Sequence, residues 1–491
     1  MKTKIFATII SVVSLMTVSC SMSHNIDEYT SDEVTIFPDY VDVTVPPNIA
    51  PLDFSVSDSM EAESMFAVLE GADGSTVTVD AEDGFFDIPV EAWHSMLDRS
   101  KGKSIRVTVV ANRDGRGCAY KPFEVNVAAD SIDEWIAYRL IEPGYSLWNK
   151  LGIYQRNISN FEQRAIFENR LSGNNCINCH SFCNRNPEKM LFHLRAANAG
   201  TVIVDGNDIE MLDTKTDSTL SALVYPSWHP SGRYVAFSVN RTTQCFHPTN
   251  RIEVYDMASD VVVYDVEAHT ILSTPLTARS DSFETFPTFS ADGTTLYFCS
   301  ADARQVPDSI SSLRYSLCSI GFIPEQGRFD ENVDTIIDAV GRDCSISFPR
   351  VSPDGRWLVC TVSGYGTFPI WHQDADLLIV DLVGGESRRM DAANSTSVES
   401  YHSWSSNSRW MVYNSRRIDG LYSRPFFTYI DEEGVAHKPF VLPQNEKNFY
   451  KAFRKSFNIP EMISGPVPNN AVEIGNRARS PKRTKLAFER R

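Results

Sequence analysis

Long apolar runs are scarce in this chain of 491 residues. After residue 16 none approaches the roughly 20 residues needed to cross a bilayer, so the bulk of the chain reads as soluble. Positive charge is also in short supply: 46 Lys and Arg stand against 63 Asp and Glu, a net −17. A deficit of that size argues against general affinity for nucleic acid or anionic lipid, both of which select clustered Lys and Arg. No GxSxG elbow occurs, and little chain follows the last repeat described below, which argues against a propeller-capped hydrolase. Charged residues make up only 22% against 42% hydrophobic, with 25 Gly and 25 Pro, the balance of a folded protein rich in strands and turns. Ten cysteines are too unevenly spread for a disulfide framework. Three lie within residues 176–183 and Cys20 closes the leader. Cys118, Cys245, Cys299, Cys318, Cys344 and Cys360 are scattered through strand-like sequence, compatible with one or two disulfides of unassigned pairing.

What is present begins with an export signal. Lys2 and Lys4 precede the apolar run from Ile5 to Met16, and small residues lead to Cys20, giving residues 1–19 the layout of a cleaved leader. Thr17-Val-Ser-Cys20 resembles a bacterial lipobox, although Leu is commoner where Thr17 stands. The resemblance implies acylation of Cys20, a flexible tether over 20–32, and attachment to a membrane of the bacterial cell envelope, on the periplasmic side or at the outer membrane.

A chain of this length exceeds one ordinary core. From 33 to 130 apolar residues alternate, as in Val41, Val43, Val45 and again in Ile105, Val107, Val109. With turn chemistry at Asn112–Gly117, this predicts a β-sandwich of the immunoglobulin or fibronectin kind. Residues 131–199 read differently: Ile132, Trp135, Ile136 and Tyr138 to Leu140 recur at helical spacing, predicting a short helical segment that leads into the cysteine cluster.

From 200 to 491 the chain repeats itself. Tyr225-Pro-Ser-Trp-His-Pro-Ser-Gly-Arg-Tyr-Val-Ala-Phe237 returns at Phe286–Phe298, Phe348–Cys360 and Tyr401–Tyr413, each reading as strand, tight turn, strand. The turns fall at Ser231-Gly232, Asp292-Gly293, Asp354-Gly355 and Asn407-Ser408, where positive φ is tolerated. These copies resemble the WD40-like repeats of TolB-type periplasmic propellers, and Arg479–Phe488 offers a degenerate fifth. The resemblance implies a C-terminal β-propeller and a platform for protein partners; at roughly 50 to 60 residues per copy, five or six blades account for the length, and the protein is expected to be mainly β overall.

Cys176-Ile-Asn-Cys179-His180 is CxxCH, the attachment signal of c-type haem. On one helical turn the two thiols meet the haem vinyl groups and the histidine meets the iron. From composition alone, chance places such a motif in a chain like this about once in 200. A zinc site with Cys183 lacks the second, separated ligand pair that closes a tetrahedron. An iron–sulfur site suits a chain exported unfolded poorly. A redox dithiol lacks a surrounding βαβ pattern. Covalent heme c on Cys176 and Cys179, with His180 as proximal ligand, is therefore the expected cofactor.

For the far side of the iron the candidates are Met190, His193 and His372. Resemblance to Bacteroidota-type lipoproteins, in which CxxCHSF precedes an F-H-x-R stretch and a TolB-like propeller, favours His193. Arg195 is a candidate partner for a haem propionate. The expected function is electron transfer between redox partner proteins by a membrane-anchored monohaem carrier without catalytic residues. The alternative is an interaction module in which haem is structural or sensory. The basic stretch from Arg477 to Arg491 reads as exposed charge on the last blade or as a docking tail.

Overall fold

The computed structural model describes residues 24–56, 62–142 and 150–491, so the leader and Cys20 lie outside the described residues. Within them the chain is mainly β. Ten strands between Glu28 and Val127 form one sheet. Its central strand, Ser104–Arg113, pairs with Ser64–Glu70 on one side and folds back on Arg116–Lys121 on the other. The turn falls at the predicted place, with Asp114 and Gly115 at φ 50° and 72°. Val43, Val45, Ile105, Val107 and Val109 are buried, as period two requires. A helix that the strand reading of 33–130 does not include, Val90–Arg99, closes this core by presenting Trp93, Met96 and Leu97 on one face.

Six further sheets follow among the described residues. Sheet I holds Trp135–Ile141, Gly152–Asn157 and Gln163–Glu168, completed by Ser456–Ile463 from near the C-terminus. Sheet II begins at Ile177–Phe182, III at Leu223–Trp228, IV at Ser282–Phe289, V at Ser345–Val351 and VI at Glu399–Trp404. Each of these opening strands touches the next. Ser456–Ile463 touches the first strands of both VI and II, which closes a ring of six. This is a propeller-like arrangement about one axis, fastened where the last inner strand joins the first sheet.

The helical expectation for residues 131–199 is corrected: Trp135–Ile141, Gly152–Asn157, Gln163–Glu168, Ile177–Phe182 and Lys189–Leu194 are strands. Trp135 to Tyr138 is buried at four successive positions, because this strand is covered on both faces. A short run buried on both faces carries no period of two and mimics a helix turn. The degenerate fifth repeat is corrected as well. Arg479 ends the helix Ala471–Arg479, while Thr484–Lys485 and Ala487–Arg490 run parallel along the outer edges of sheets II and III.

The N-terminal unit sits against sheet VI. The Trp410 indole donates to the Asp130 carbonyl at 3.0 Å, the Tyr429 hydroxyl donates to the Asp130 carboxylate at 2.7 Å, and one apolar core runs through both.

Candidate functional site: the central channel

The four recognised repeats open sheets III to VI, and the aromatic that begins each copy faces the axis. Tyr225, Phe286, Phe348 and Tyr401 all take φ near 50° at a bulge in their strands. A non-glycine residue in this region costs on the order of 1 kcal/mol. The cost recurs in all four copies and is offset by ring packing: centroids lie 4.6, 4.2 and 4.8 Å apart from Tyr225 to Phe286 to Phe348 to Tyr401.

Two more residues complete the circle. Cys179, at φ 48°, and Ile459, at φ 51°, occupy the same bulge in sheets II and I. Cys179-His-Ser-Phe182 is thus a repeat copy, aligned with Tyr401-His-Ser-Trp404. Sequence reasoning missed it because a thiol stands where the other copies carry a ring.

This circle separates two cavities. Pleating sends the residue before each ring position to one side and the residue after it to the other. Asn178, Val224 and Asn458 line a large cavity of about 690 Å³, whereas His180, His402 and Pro460 line a smaller one of about 180 Å³. Cys179, Tyr225 and Tyr401 border both. Cys176 opens into the large cavity.

The second and third strands of sheet III, Tyr234–His247 and Arg251–Asp265, run 14 and 15 residues, longer than those of the other sheets. Their extension lines the large cavity through Asn240, Thr242, Ile252 and Val254. It is strapped to a loop of sheet V by a buried contact of His372 Nε2 with the Glu253 carboxylate at 3.0 Å, to which the Tyr365 hydroxyl also donates at 3.0 Å.

The residues of CxxCH do not fit a c-type haem site as they stand here. The motif lies on a strand, Ile177–Phe182, so the helical turn that would set both thiols and the imidazole on one face is missing. Cys176 opens on the large cavity and His180 on the small one, with Cys179 at the border between them. The His180 ring is buried on the small-cavity side, beside the Ile459 backbone. The three far-side candidates line neither cavity. Met190 is packed in the core shared by sheets I and II. His193 is buried, with Nδ1 2.7 Å from the Thr201 hydroxyl and the ring against Phe237. His372 serves the strap.

Electrostatics at the circle follow from burial. Burial pushes the Cys179 thiol above the ordinary thiol range, with Arg195 and Arg139 pulling the other way, so at neutral pH it is a protonated, weak nucleophile. Burial, aided by the Arg139 charge, pushes His180 down to about 3. An unfolded histidine titrates near 6.5, so below that pH the unfolded chain binds the extra proton and stability falls with pH by about 1.4 kcal/mol per unit. The His180→Gln variant lacks this slope. Its stability deficit relative to the parent is expected to shrink by about 2 kcal/mol between pH 6.5 and 5 in urea titrations. A constant gap would show that His180 is not held neutral.

No family model and no curated protein matches the chain. Among solved structures it is similar to the periplasmic gluconolactonase of Pseudomonas aeruginosa, at 13% identity over 63% of this chain and 96% of that one, with a TM-score of 0.35. It is also similar to Porphyromonas gingivalis dipeptidyl peptidase 4, at 13% identity over 61% of this chain and 46% of that one, with a TM-score of 0.32. Prolyl oligopeptidase B from Galerina marginata matches at 9% identity over 68% and 43% of the respective chains, with a TM-score of 0.36. The chain therefore spans under half the length of these two peptidases. Likenesses this distant leave its chemistry to its own residues. By those residues the class is a mainly β, propeller-like protein with an axial cavity.

Proposed function

We propose that this chain is an exported, lipid-anchored binding protein: an N-terminal β unit followed by a six-bladed propeller that holds a small molecule in its axial cavity. The observation that carries this reading is the cavity of about 690 Å³, roofed by the long hairpin of sheet III, a volume within the roughly 300–1,000 Å³ usual for small-molecule sites. Val224 stands on the cavity wall in the inner strand of sheet III. Val224→Trp would place an indole in that space and is expected to abolish ligand-induced thermal stabilisation while leaving the far-ultraviolet spectrum unchanged. Equal stabilisation of parent and variant by the same compounds would place binding elsewhere.

The electron-carrier reading stands second and is favoured by one observation, the opening of both Cys176 and Cys179 onto one cavity. Haem-stained denaturing electrophoresis after expression with a cytochrome c maturation system tests it. With His180 on the other side of the circle, the expected band is unstained. A stained band that disappears in Cys176→Ala, Cys179→Ala would restore the carrier and its redox partners.

A further inference from the structure

The large cavity carries charge opposite to that of the chain. Among the described residues, Arg139, Lys150, Arg195 and Arg416 line it against one acid, Glu142, whereas the whole molecule is −17. Arg139 is fixed by neutral acceptors only: Nη1 donates to the Ile177 carbonyl and to Asn178 Oδ1, both at 2.7 Å, and Nη2 to Asn458 Oδ1 at 3.1 Å. Its Nε–H is buried and unpaired. The side chain of Arg195, an exposed residue that lines the cavity, makes no hydrogen bond or ion pair among the described residues, so its guanidinium is free to meet a ligand at the cavity mouth. Arg416 is held by the Ile370 carbonyl at 3.1 Å and lies over the Trp371 ring at 3.3 Å.

One further feature narrows the ligand. Phe368, Trp371, Tyr225 and Tyr401 supply flat apolar surface beside these cations. Asn240, on the roof, has its amide bound to Asp256 at 2.6 Å, and its Oδ1 is buried without a donor. An arginine fork matches a carboxylate in shape as well as sign.

We propose that the cavity selects a small organic anion: a carboxylate on a flat unsaturated body, its head held by Arg195 in the field of Arg139 and its ring against the aromatic wall. This inference rests on the binding-protein reading above and adds the sign and shape of the ligand. A cation is disfavoured by four of the five charged side chains, and an inorganic oxyanion leaves the aromatic wall unused.

The test titrates the full mature chain with 2-naphthoate, with 2-naphthylmethylammonium, which presents the same ring with opposite charge, and with inorganic phosphate. Naphthoate is expected to bind at least tenfold more tightly than either. Arg195→Gln is expected to weaken naphthoate about tenfold, equivalent to about 1.4 kcal/mol, without altering the melting temperature of the free protein, because that side chain holds nothing else in place. Equal or tighter binding of the ammonium compound, or unchanged naphthoate affinity in Arg195→Gln, would overturn the anion assignment and leave a binding cavity standing. Binding of none of the three, with Val224→Trp indistinguishable from the parent, would overturn the cavity reading itself.

Discussion

A chain ending at Phe453 is expected to lose cooperative folding, not merely some stability. The missing segment includes Ser456–Ile463, the strand that pairs with Trp135–Ile141 and bridges the inner strands of sheets VI and II. Phe457, Met462 and Ile463 are almost wholly buried. At about 1.5–3 kcal/mol for each large apolar side chain, their loss alone removes about 5–9 kcal/mol, a large part of the 5–15 kcal/mol that holds a typical domain. Removing the strand also exposes a paired edge of sheet I and leaves Arg139 without Asn458. A chain ending at Ser480 loses only the short outer-edge strands and keeps the ring. It is expected to melt cooperatively, within several degrees of the parent. Near-ultraviolet circular dichroism and calorimetry compare the two truncations. A sharp transition retained by the shorter one would mean that the ring does not depend on this closure.

The same strand explains why the sequence could be read only in part. Where an inner strand keeps its aromatic, as at Tyr225, Phe286, Phe348 and Tyr401, the repeat is plain, and the turns carry the positive φ expected of Gly232, Gly293, Gly355 and Ser408. Where Cys179 or Ile459 replaces the aromatic, the fold keeps the bulge but the pattern is lost, and Ile459 completes a sheet that begins more than 300 residues earlier. Strand pairing at that separation leaves no local trace. The CxxCH reading suffered from the same substitution. Estimated by composition, its histidine looked improbable; as the counterpart of His402 in a repeat, it is the residue one copy already carries beside the ring position. What survives of the motif is a pair of thiols at the rim of the large cavity. The arginines around it were legible one at a time, and Arg195 was singled out, but Arg139 and Arg416 meet it only through closure of the ring.

Closure also depends on one buried cation. Arg424, in the third strand of sheet VI, is fully buried and anchors the chain just before the closing strand. Its guanidinium donates to the carbonyls of Lys455 at 2.8 Å, Phe453 at 2.8 Å and Tyr450 at 3.3 Å, and lies 3.6 Å from the Asp419 carboxylate. The rings of Tyr422 and Tyr450 stand 5.0 and 5.5 Å from its charge. Arg424→Met keeps the length of the stem but removes every donor, leaving three carbonyls and an acid without their partner. Breaking a buried charge network in this way costs about 3–5 kcal/mol, whereas a typical surface substitution changes stability by no more than about 0.5 kcal/mol. Arg424→Lys keeps the charge but, lacking the planar fork, reaches fewer of the carbonyls, and its loss should be intermediate. Urea unfolding of the three proteins gives the ordering, with Arg424→Met lowest. If methionine proved as stable as arginine, the carbonyls of residues 450–455 would have to be satisfied by water, and the closing strand would hold by its own pairing with sheet I. The expected loss is larger because Arg424 and the strand act in series: the cation fixes the turn that delivers Ser456, whose hydroxyl accepts from the Ser423 amide at 3.2 Å, and from there the strand crosses to the sheet on which the ring depends.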